Sequence, residues 1–247
     1  MGIVRLVSAI FGWFFPPLQI PFHIAVIPNG NRRWAKLRKI LLQYSYLHGA
    51  KQALDFAAWA KKAGVRHVTF YGLSEENMVK RSVEEIDALM KGAIHFFDTA
   101  MALGYHLHPF GDIEKFAGLE KYEPLYSRLR RWRELPLPPD DFVLHVAVNY
   151  AGTPQHELEP LREEIRNRGL HAVLANPAAY IRSAGVPEVD LVVRTGSKRE
   201  SRTSGLLPFQ LRYAELLFIN VYWGDFTERH FRKALRWYST RQRNFGK

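Results

Sequence analysis

The chain has 247 residues, 47% of them hydrophobic and 24% charged, which is typical of a folded globular protein rather than a disordered one. It contains no cysteine, which excludes a disulfide scaffold, a cysteine-based zinc site and a cysteine nucleophile. Its 35 lysines and arginines outweigh 24 acidic residues, and the net charge of +11 predicts an anionic partner: nucleic acid, an anionic membrane or a phosphorylated substrate.

The first 22 residues form an apolar segment that we separate from a domain at 23–247. As far as Phe15 the segment is too short to span a bilayer as a helix, and prolines interrupt the rest. It has no clear signal-peptide cleavage site, so we expect a cytoplasmic protein with, at most, peripheral membrane contact. Two interpretations of the segment stay open: a helix packed on the domain, or a membrane-interface anchor.

Along the rest of the chain, short apolar runs alternate with amphipathic segments. Strands are predicted at His23–Ile27, His67–Leu73, Tyr105–Asp112, Phe142–Tyr150, Val189–Thr195 and Ala214–Trp223. Helices are predicted at Leu47–Ala63, at Glu84–Leu103 and in the basic stretch from Arg229 to Lys247. Because strands alternate with helices and no repeat or low-complexity linker intervenes, we predict one α/β domain with a mostly parallel sheet flanked by helices.

Polar residues follow the predicted strands, at the sheet edge where parallel α/β proteins bind ligands. Four arginines are phosphate candidates because guanidinium groups form bidentate bonds to phosphate oxygens: Arg33, Arg81, Arg194 and Arg202. Gly30 lets backbone N–H groups approach an anion at the start of a helix. Glu215 is the best-placed carboxylate for Mg²⁺ bound with a diphosphate, although a charge on an edge strand is its alternative interpretation.

Seven segments of the chain resemble six motifs of the cis-prenyltransferases, in the order that the family has them. HIAVIPNGNRRWAK, from His23 to Lys36, resembles the first signature, and TFYGLSEENMVKR, from Thr69 to Arg81, the second. FGD, HVAVNYAG and RTGSKRESRTSGLLPFQLRYAELLF resemble the next three, and YWGDF with RQRNFG resembles the terminal motif. The resemblance therefore runs from His23 to Gly246.

The resemblance implies an enzyme with a hydrophobic tunnel that condenses an allylic diphosphate with an isopentenyl- or dimethylallyl-type diphosphate. It also implies Mg²⁺ as cofactor and a homodimer, or a heteromer with another prenyltransferase subunit. Carried over by position, the catalytic residues are Asn29, Asn31, Ser74 and Asn77, and Glu215 binds the metal. The substrate-binding positions are Gly30, Arg32, Arg33, Trp34, Arg81, Arg194, Arg202 and Ser204, with Arg243 and Gly246 reaching the partner subunit's site. Candidate tunnel walls are Leu54, Phe56, Trp59 and the helix Glu84–Leu103.

The chain also departs from the family pattern within these motifs. Asn29 stands where the family has an aspartate, and Leu42 and Tyr46 stand where it has an arginine and a histidine. Two extra residues separate Arg194 from Glu200. We therefore expect an atypical site or product, such as a branched or cyclised isoprenoid. Two alternatives are an accessory subunit resembling the Nogo-B receptor and a nucleic-acid-binding protein, the second disfavoured because basic and aromatic residues do not interleave.

Overall fold

A six-stranded sheet forms the centre of the computed structural model, which describes residues 18–197 and 200–242. The strands are β1 (His23–Ile27), β2 (His67–Ser74), β3 (His106–Phe110), β4 (Val143–Tyr150), β5 (Leu191–Thr195) and β6 (Glu215–Ile219). Their order is β3-β4-β2-β1-β5-β6, and every neighbouring pair is parallel. The predicted single α/β domain with a parallel sheet is confirmed.

Helices cover the sheet and connect its strands. In the described ranges they are α1 (Asn31–Arg38), α2 (Leu42–Ala63), α3 (Glu75–Lys80), α4 (Val83–Ala102), α5 (Glu123–Arg133), α6 (Pro154–Arg168), α7 (Leu170–Leu174) and α8 (Glu228–Ser239). Short 3-10 turns lie at Ile113–Phe116, Glu120–Tyr122, Pro177–Tyr180 and Trp223–Asp225. None of the helices described is both long and apolar enough to cross a membrane.

Several element boundaries differ from the sequence prediction, and two of these differences bear on the site. Helix α2 begins at Leu42, five positions before the predicted start, and β6 ends at Ile219 although the apolar run continues to Trp223. Trp223 leaves the sheet in a 3-10 turn, where it is 1% exposed and its indole Nε1 donates to the Gly49 carbonyl over 2.9 Å. The run thus remains apolar because Trp223 is buried against α2, not because the strand continues.

Two layers of apolar side chains enclose the sheet. Ile24, Val26 and Phe70 face the larger cluster, which α2, α4, α5 and α8 complete. Ala25 and Tyr71 face a smaller cluster on the other side. Every residue of β1 is buried because this central strand is covered on both faces, as parallel strands generally are.

A row of histidines crosses the sheet inside this fold. Nε2 of His145 lies 3.0 Å from Nδ1 of His67. Nδ1 of His145 lies 2.8 Å from Nδ1 of His108. His23 Nε2 lies 2.7 Å from the Thr69 hydroxyl. Burial lowers the pKa of His23 and of His108 to about 4, and it holds the pKa of His145 well below 6.5. These rings are therefore neutral near pH 7.

Candidate functional site

Two joined cavities lie at the carboxyl ends of the strands. The outer one is polar, with a volume of about 630 Å³, and lies beyond β1, β2, β4 and β5. The inner one is apolar, with a volume of about 110 Å³, between the sheet, α2 and α4. Asn31, Tyr46 and Leu89 line both. The cavities meet beyond the carboxyl end of β1, which has β2 on one side and β5 on the other. The strand order reverses there, and open α/β sheets bind ligands at such a reversal.

A buried cation forms the β5 side of the polar cavity. Arg194 is only 5% exposed, and its Nη1 donates to Ser204 Oγ over 2.8 Å and to the Arg202 carbonyl over 2.9 Å. Its Nε is buried without a hydrogen-bond partner, and no described carboxylate lies within ion-pairing distance of it. Burial, and then the nearby charge of Arg202, lower the pKa of Arg194. Because a buried charge without a counterion is costly, this wall is complementary to an anion.

The turn after β1 brings the first motif to the same cavity. The Asn29 backbone N–H donates to Thr195 Oγ1 over 2.9 Å, which fixes the turn to the end of β5. Gly30 has φ 103°, and a Cβ there would lie 2.5 Å from Tyr222 Cδ1, so only glycine fits. Asn31 Oδ1 is buried without a partner where the two cavities meet.

A carboxylate that the sequence analysis did not select lies beside Asn29. Glu200 Oε2 accepts from Asn29 Nδ2 over 2.8 Å and from Arg33 Nη2 over 2.6 Å. Burial raises the pKa of Glu200, but the bonds from Arg33 and from the Ser197 backbone N–H outweigh it, and the net pKa is lowered. The residue is therefore ionised at neutral pH. Glu200 lies in the fifth motif, where the resemblance aligns it with the glutamate of the family's Glu-x-Arg, but the sequence analysis assigned it no role.

The opposite wall of the polar cavity comes from the end of β2 and from α3. Ser74 caps α3 by accepting from the Asn77 backbone N–H over 3.2 Å, and both residues line the cavity. Arg81 donates to the Tyr46 hydroxyl over 2.6 Å and pairs with Glu85 over 2.9 Å. Arg81 is therefore a neutralised cation on the wall of the polar cavity, in contrast to Arg194.

The Tyr46 hydroxyl remains protonated in this network. Burial raises its pKa, the charge of Arg81 lowers it, and the charge and hydrogen bond of Glu85 raise it further. Arg32, whose Nε lies 3.6 Å from the same Glu85 carboxylate, is largely exposed at the cavity edge. Tyr46 thus acts as a neutral hydrogen-bonding group where the family has a histidine.

Several predicted site residues do not join the cavity. Glu215 begins β6 opposite Leu191, whereas the cavity lies at the Thr195 end of β5, roughly 13 Å further along the strands at about 3.3 Å per residue. Within one chain the structure therefore does not place Glu215 at the polar cavity. Trp34 donates to Asp225 over 2.9 Å and stacks on His48 at 4.8 Å, outside both cavities. Arg243 and Gly246 lie outside the described residues.

The predicted walls of the apolar cavity are correct in part. Helix α4 supplies a wall through Leu89, Ala93, Phe96 and Phe97, as its periodicity indicated. From α2, however, Gly49, Ala50 and Ala53 line the cavity. Leu54, Phe56 and Trp59 do not: Phe56 packs instead on the rings of Phe226 and Phe231, and Trp59 contacts the same two rings.

The residues around Asn29 fit a magnesium ion held jointly with a diphosphate. No group of three or more histidine, aspartate or glutamate side chains gathers to hold a metal within the described part of the chain. Mg²⁺ in such sites usually takes one or two carboxylates and completes its shell with phosphate oxygens and water. Glu200 supplies one ionised carboxylate at the cavity.

Comparisons with known proteins agree with the geometry. Residues 27–246 match the profile of a family described as "Putative undecaprenyl diphosphate synthase". The isoprenyl transferase of Clostridium tetani is 31% identical over 239 residues, covering 92% of this chain and 90% of that protein. The ditrans,polycis-undecaprenyl-diphosphate synthase ((2E,6E)-farnesyl-diphosphate specific) of Pectobacterium atrosepticum is 34% identical over 239 residues, covering 93% and 91%. Lavandulyl diphosphate synthase from Lavandula x intermedia, solved with dimethylallyl diphosphate, has the same fold, with a TM-score of 0.77, 24% identity and coverage of 92% and 99%.

Proposed function

The chain belongs to the cis-prenyltransferase family of undecaprenyl diphosphate synthases, and from that membership we propose that its joined cavities condense short isoprenoid diphosphates. As a family member it is a prenyltransferase that acts on isoprenoid diphosphates, so the accessory-subunit and nucleic-acid alternatives do not hold. The size of the prenyl group and the roles of individual residues are our proposal.

The observation that carries the proposal is the unpaired charge of Arg194. Its buried guanidinium shares the polar cavity with Arg202 and Ser204, and no described carboxylate forms an ion pair with it, although the charge of Glu200 acts on it from across the cavity. A diphosphate brings several negative oxygens that match guanidinium geometry. We assign one diphosphate to this wall and the second to the turn of Asn31 and Arg33.

Condensation needs a leaving diphosphate that is stabilised as the allylic C–O bond breaks. Fixed cations and N–H donors in a water-poor cavity stabilise the charge that develops on the leaving group. Arg33, which donates to Glu200 beside the polar cavity, is assigned with the backbone of the first turn to one diphosphate. Ser74 and Asn77 line the other side of the cavity and are assigned to orient the reacting ends. The two prenyl groups then lie side by side at the entrance to the apolar cavity.

Magnesium is the cofactor that we propose for this site. When bound to a diphosphate, the ion neutralises phosphate charge and polarises the leaving group. Glu200 is the carboxylate in the cavity that lies next to Asn29, and the remaining ligands come from phosphate oxygens and water. Glu215 does not lie beside the polar cavity of its own chain, so a role in metal binding would require the cavity of a second copy of the chain.

The apolar cavity limits the prenyl group. Its volume of about 110 Å³ is smaller than the roughly 150 Å³ of an engineered cavity that binds benzene, a six-carbon ring. One five-carbon isoprene unit fits this space, and a chain of many units does not unless α2 and α4 separate. We therefore propose substrates and products of one to a few isoprene units rather than a long polyprenyl chain.

Two surfaces support the proposed assembly and location. Strand β6 is an edge strand with Leu216 exposed at 41%, and the preceding segment exposes Phe209 and Tyr213, which suits a homodimer across this edge. Arg229, Arg232, Lys233 and Arg236 line one groove on α8 and favour peripheral contact with an anionic membrane from the cytoplasmic side. The apolar segment 1–17 lies outside the described residues.

A product analysis tests the proposed function. The full chain is incubated with Mg²⁺, radiolabelled isopentenyl diphosphate and, separately, dimethylallyl, geranyl or farnesyl diphosphate, and the dephosphorylated products are resolved by chain length. A parallel reaction contains dimethylallyl diphosphate alone, since the altered first motif predicts an atypical product. We expect short products from the short substrates. A long polyprenyl product would refute the proposed size limit.

A further inference from the structure

We propose that Glu200 is the metal-ligating carboxylate of this chain, taking the place of the acidic group that its first motif lacks at Asn29. The inference rests on the proposed function, because the metal is held together with a bound diphosphate. It assigns to the β5–β6 connection a role that the motif after β1 otherwise fills, and it makes Asn29 a positioning residue.

The first support is the juxtaposition of the two side chains. Glu200 and Asn29 are 171 positions apart in sequence, yet Glu200 Oε2 lies 2.8 Å from Asn29 Nδ2. Both line the polar cavity with Arg194. The Glu200 carboxylate therefore lies next to the position that the carboxylate of an aspartate at position 29 would occupy. A bound cation depends on where the carboxylate lies in space, not on which of the two sequence positions carries it.

The second support is the chemical complementarity of the pair. If position 29 carried an aspartate, two carboxylates would meet at hydrogen-bond distance, and their repulsion would raise the pKa of one of them. With Asn29 the amide N–H donates to Glu200 instead, so the pair contributes one negative charge to the cavity. Asn29 thus supplies the amide of the pair and Glu200 the carboxylate, so the negative charge lies on the residue that follows β5.

The third support is the position of Gly196 beneath the pair. A Cβ at this residue would lie 2.8 Å from Glu200 Oε2 and 2.9 Å from Asn29 Nδ2, and the backbone has φ 135°. Glycine therefore permits the close approach of both side chains to the chain after β5.

A simpler role for Glu200 is to neutralise Arg33 alone, with which it pairs over 2.6 Å. The two roles differ in how diphosphate and metal bind. A carboxylate that only pairs with Arg33 competes with the incoming diphosphate, so its removal strengthens diphosphate binding without metal and leaves metal binding unchanged. If Glu200 is also a metal ligand, its removal in addition lowers the affinity of the diphosphate-bound site for the metal ion, so metal binding is the property that separates the two roles.

The test is Mn²⁺ binding to the full chain saturated with inorganic diphosphate, measured by electron paramagnetic resonance of the free ion. We expect Glu200→Gln, which keeps the shape and removes the charge, to weaken Mn²⁺ binding on the order of 10–100-fold. The exchange variant Asn29→Asp with Glu200→Gln returns one carboxylate to the pair, and we expect it to recover most of the affinity. Recovery would also show that loss in the single variant is not misfolding.

Glu76→Gln is the matched control. Glu76 lines the same cavity but pairs over 2.7 Å with Lys80 on the exposed side of α3, so its variant should bind Mn²⁺ as the parent does. Unchanged Mn²⁺ binding in Glu200→Gln would overturn the inference while leaving the proposed function intact. If the parent chain bound no diphosphate under any condition, the proposed function itself would fail, and the inference with it.

Discussion

The side-chain amide of Asn29 donates to the carboxylate of Glu200 over 2.8 Å, and Arg33 donates to the same oxygen over 2.6 Å. This small network joins the turn after β1 to the connection after β5. It places one ionised carboxylate and one cation at the edge of a cavity whose other wall is the buried Arg194.

Arg194→Lys should weaken the binding of inorganic diphosphate. Lysine keeps the charge but loses the planar fork that reaches Ser204, the Arg202 carbonyl and the ligand together. A charge-assisted hydrogen bond contributes about 1.5–3 kcal/mol, so we expect the dissociation constant to rise roughly 10–100-fold by titration calorimetry. Arg212→Lys is the control, because Arg212 is exposed and stacks on Tyr213 away from the cavity. Equal affinity in Arg194→Lys and the parent would contradict the assignment.

Phe96→Ala should lengthen the product. Phe96 lines the apolar cavity and is 6% exposed, so its truncation opens space along α4 at a cost of about 3–5 kcal/mol in the free energy of unfolding. We expect products extended by at least one isoprene unit when they are resolved by reverse-phase chromatography. Phe231→Ala carries a similar stability cost but lies away from the cavity, packed on Phe56, and should leave the product length unchanged. The same length from Phe96→Ala would show that this wall does not limit the product.

Gly30→Ala should lower the free energy of unfolding by more than the strain of its positive φ alone would cause. The new Cβ would meet Tyr222 at 2.5 Å, next to the backbone N–H groups proposed to face a diphosphate. Gly118→Ala is a matched control, since Gly118 also has a positive φ, 72°, with no heavy atom within 4 Å of the Cβ position. We expect about 1 kcal/mol of destabilisation for Gly118→Ala from backbone strain, and clearly more for Gly30→Ala, in urea denaturation. Equal effects would mean that Tyr222 moves aside freely.

Stability should fall in mild acid because of the buried histidines. Their pKa is lowered in the folded state, to about 4 for His23 and for His108, so below pH 6.5 the unfolded chain binds protons that the folded chain cannot. The free energy of unfolding is therefore full above pH 6.5 and decreases as the pH falls towards 4. For the fully buried His23 the loss approaches roughly 3 kcal/mol, from about 1.4 kcal/mol per pKa unit.

Urea midpoints measured between pH 7 and pH 4 would show this slope. His108→Gln removes one titrating ring at the edge of the row and should reduce the slope relative to the parent. His171→Gln, on the exposed surface of α7, is the control and should leave it unchanged. A flat profile from pH 7 to pH 4 in the parent chain would contradict the depressed pKa values.

Much of the fold could be predicted because its signals are local. Alternating apolar runs identified the strands, and a wide apolar face identified α4, whose observed span Val83–Ala102 differs from the predicted one by a single residue at each end. The end of β6 was wrong because hydrophobicity does not distinguish a strand from the 3-10 turn that buries Trp223. Parallel strand order also implied correctly that Asn31, Ser74 and Arg194 share one cavity.

The rest of the site depends on contacts between residues far apart in sequence. The contact between Glu200 and Asn29 joins residues 171 positions apart, and no local pattern in the chain specifies such a contact. Glu215 shares a motif with Arg194, but a parallel strand places its first residue at the opposite edge of the sheet from its last. The motif therefore predicted the strand β6 correctly but not the position of the Glu215 side chain relative to the cavity.

The most direct test of the central claim is the transfer of radiolabel from isopentenyl diphosphate into solvent-extractable product by the full chain with Mg²⁺ and dimethylallyl or geranyl diphosphate. We predict transfer that depends on Mg²⁺, that falls at least about tenfold in Arg194→Lys and that survives in Arg212→Lys. Absence of transfer with every primer from five to fifteen carbons, or full transfer by Arg194→Lys, would contradict the account.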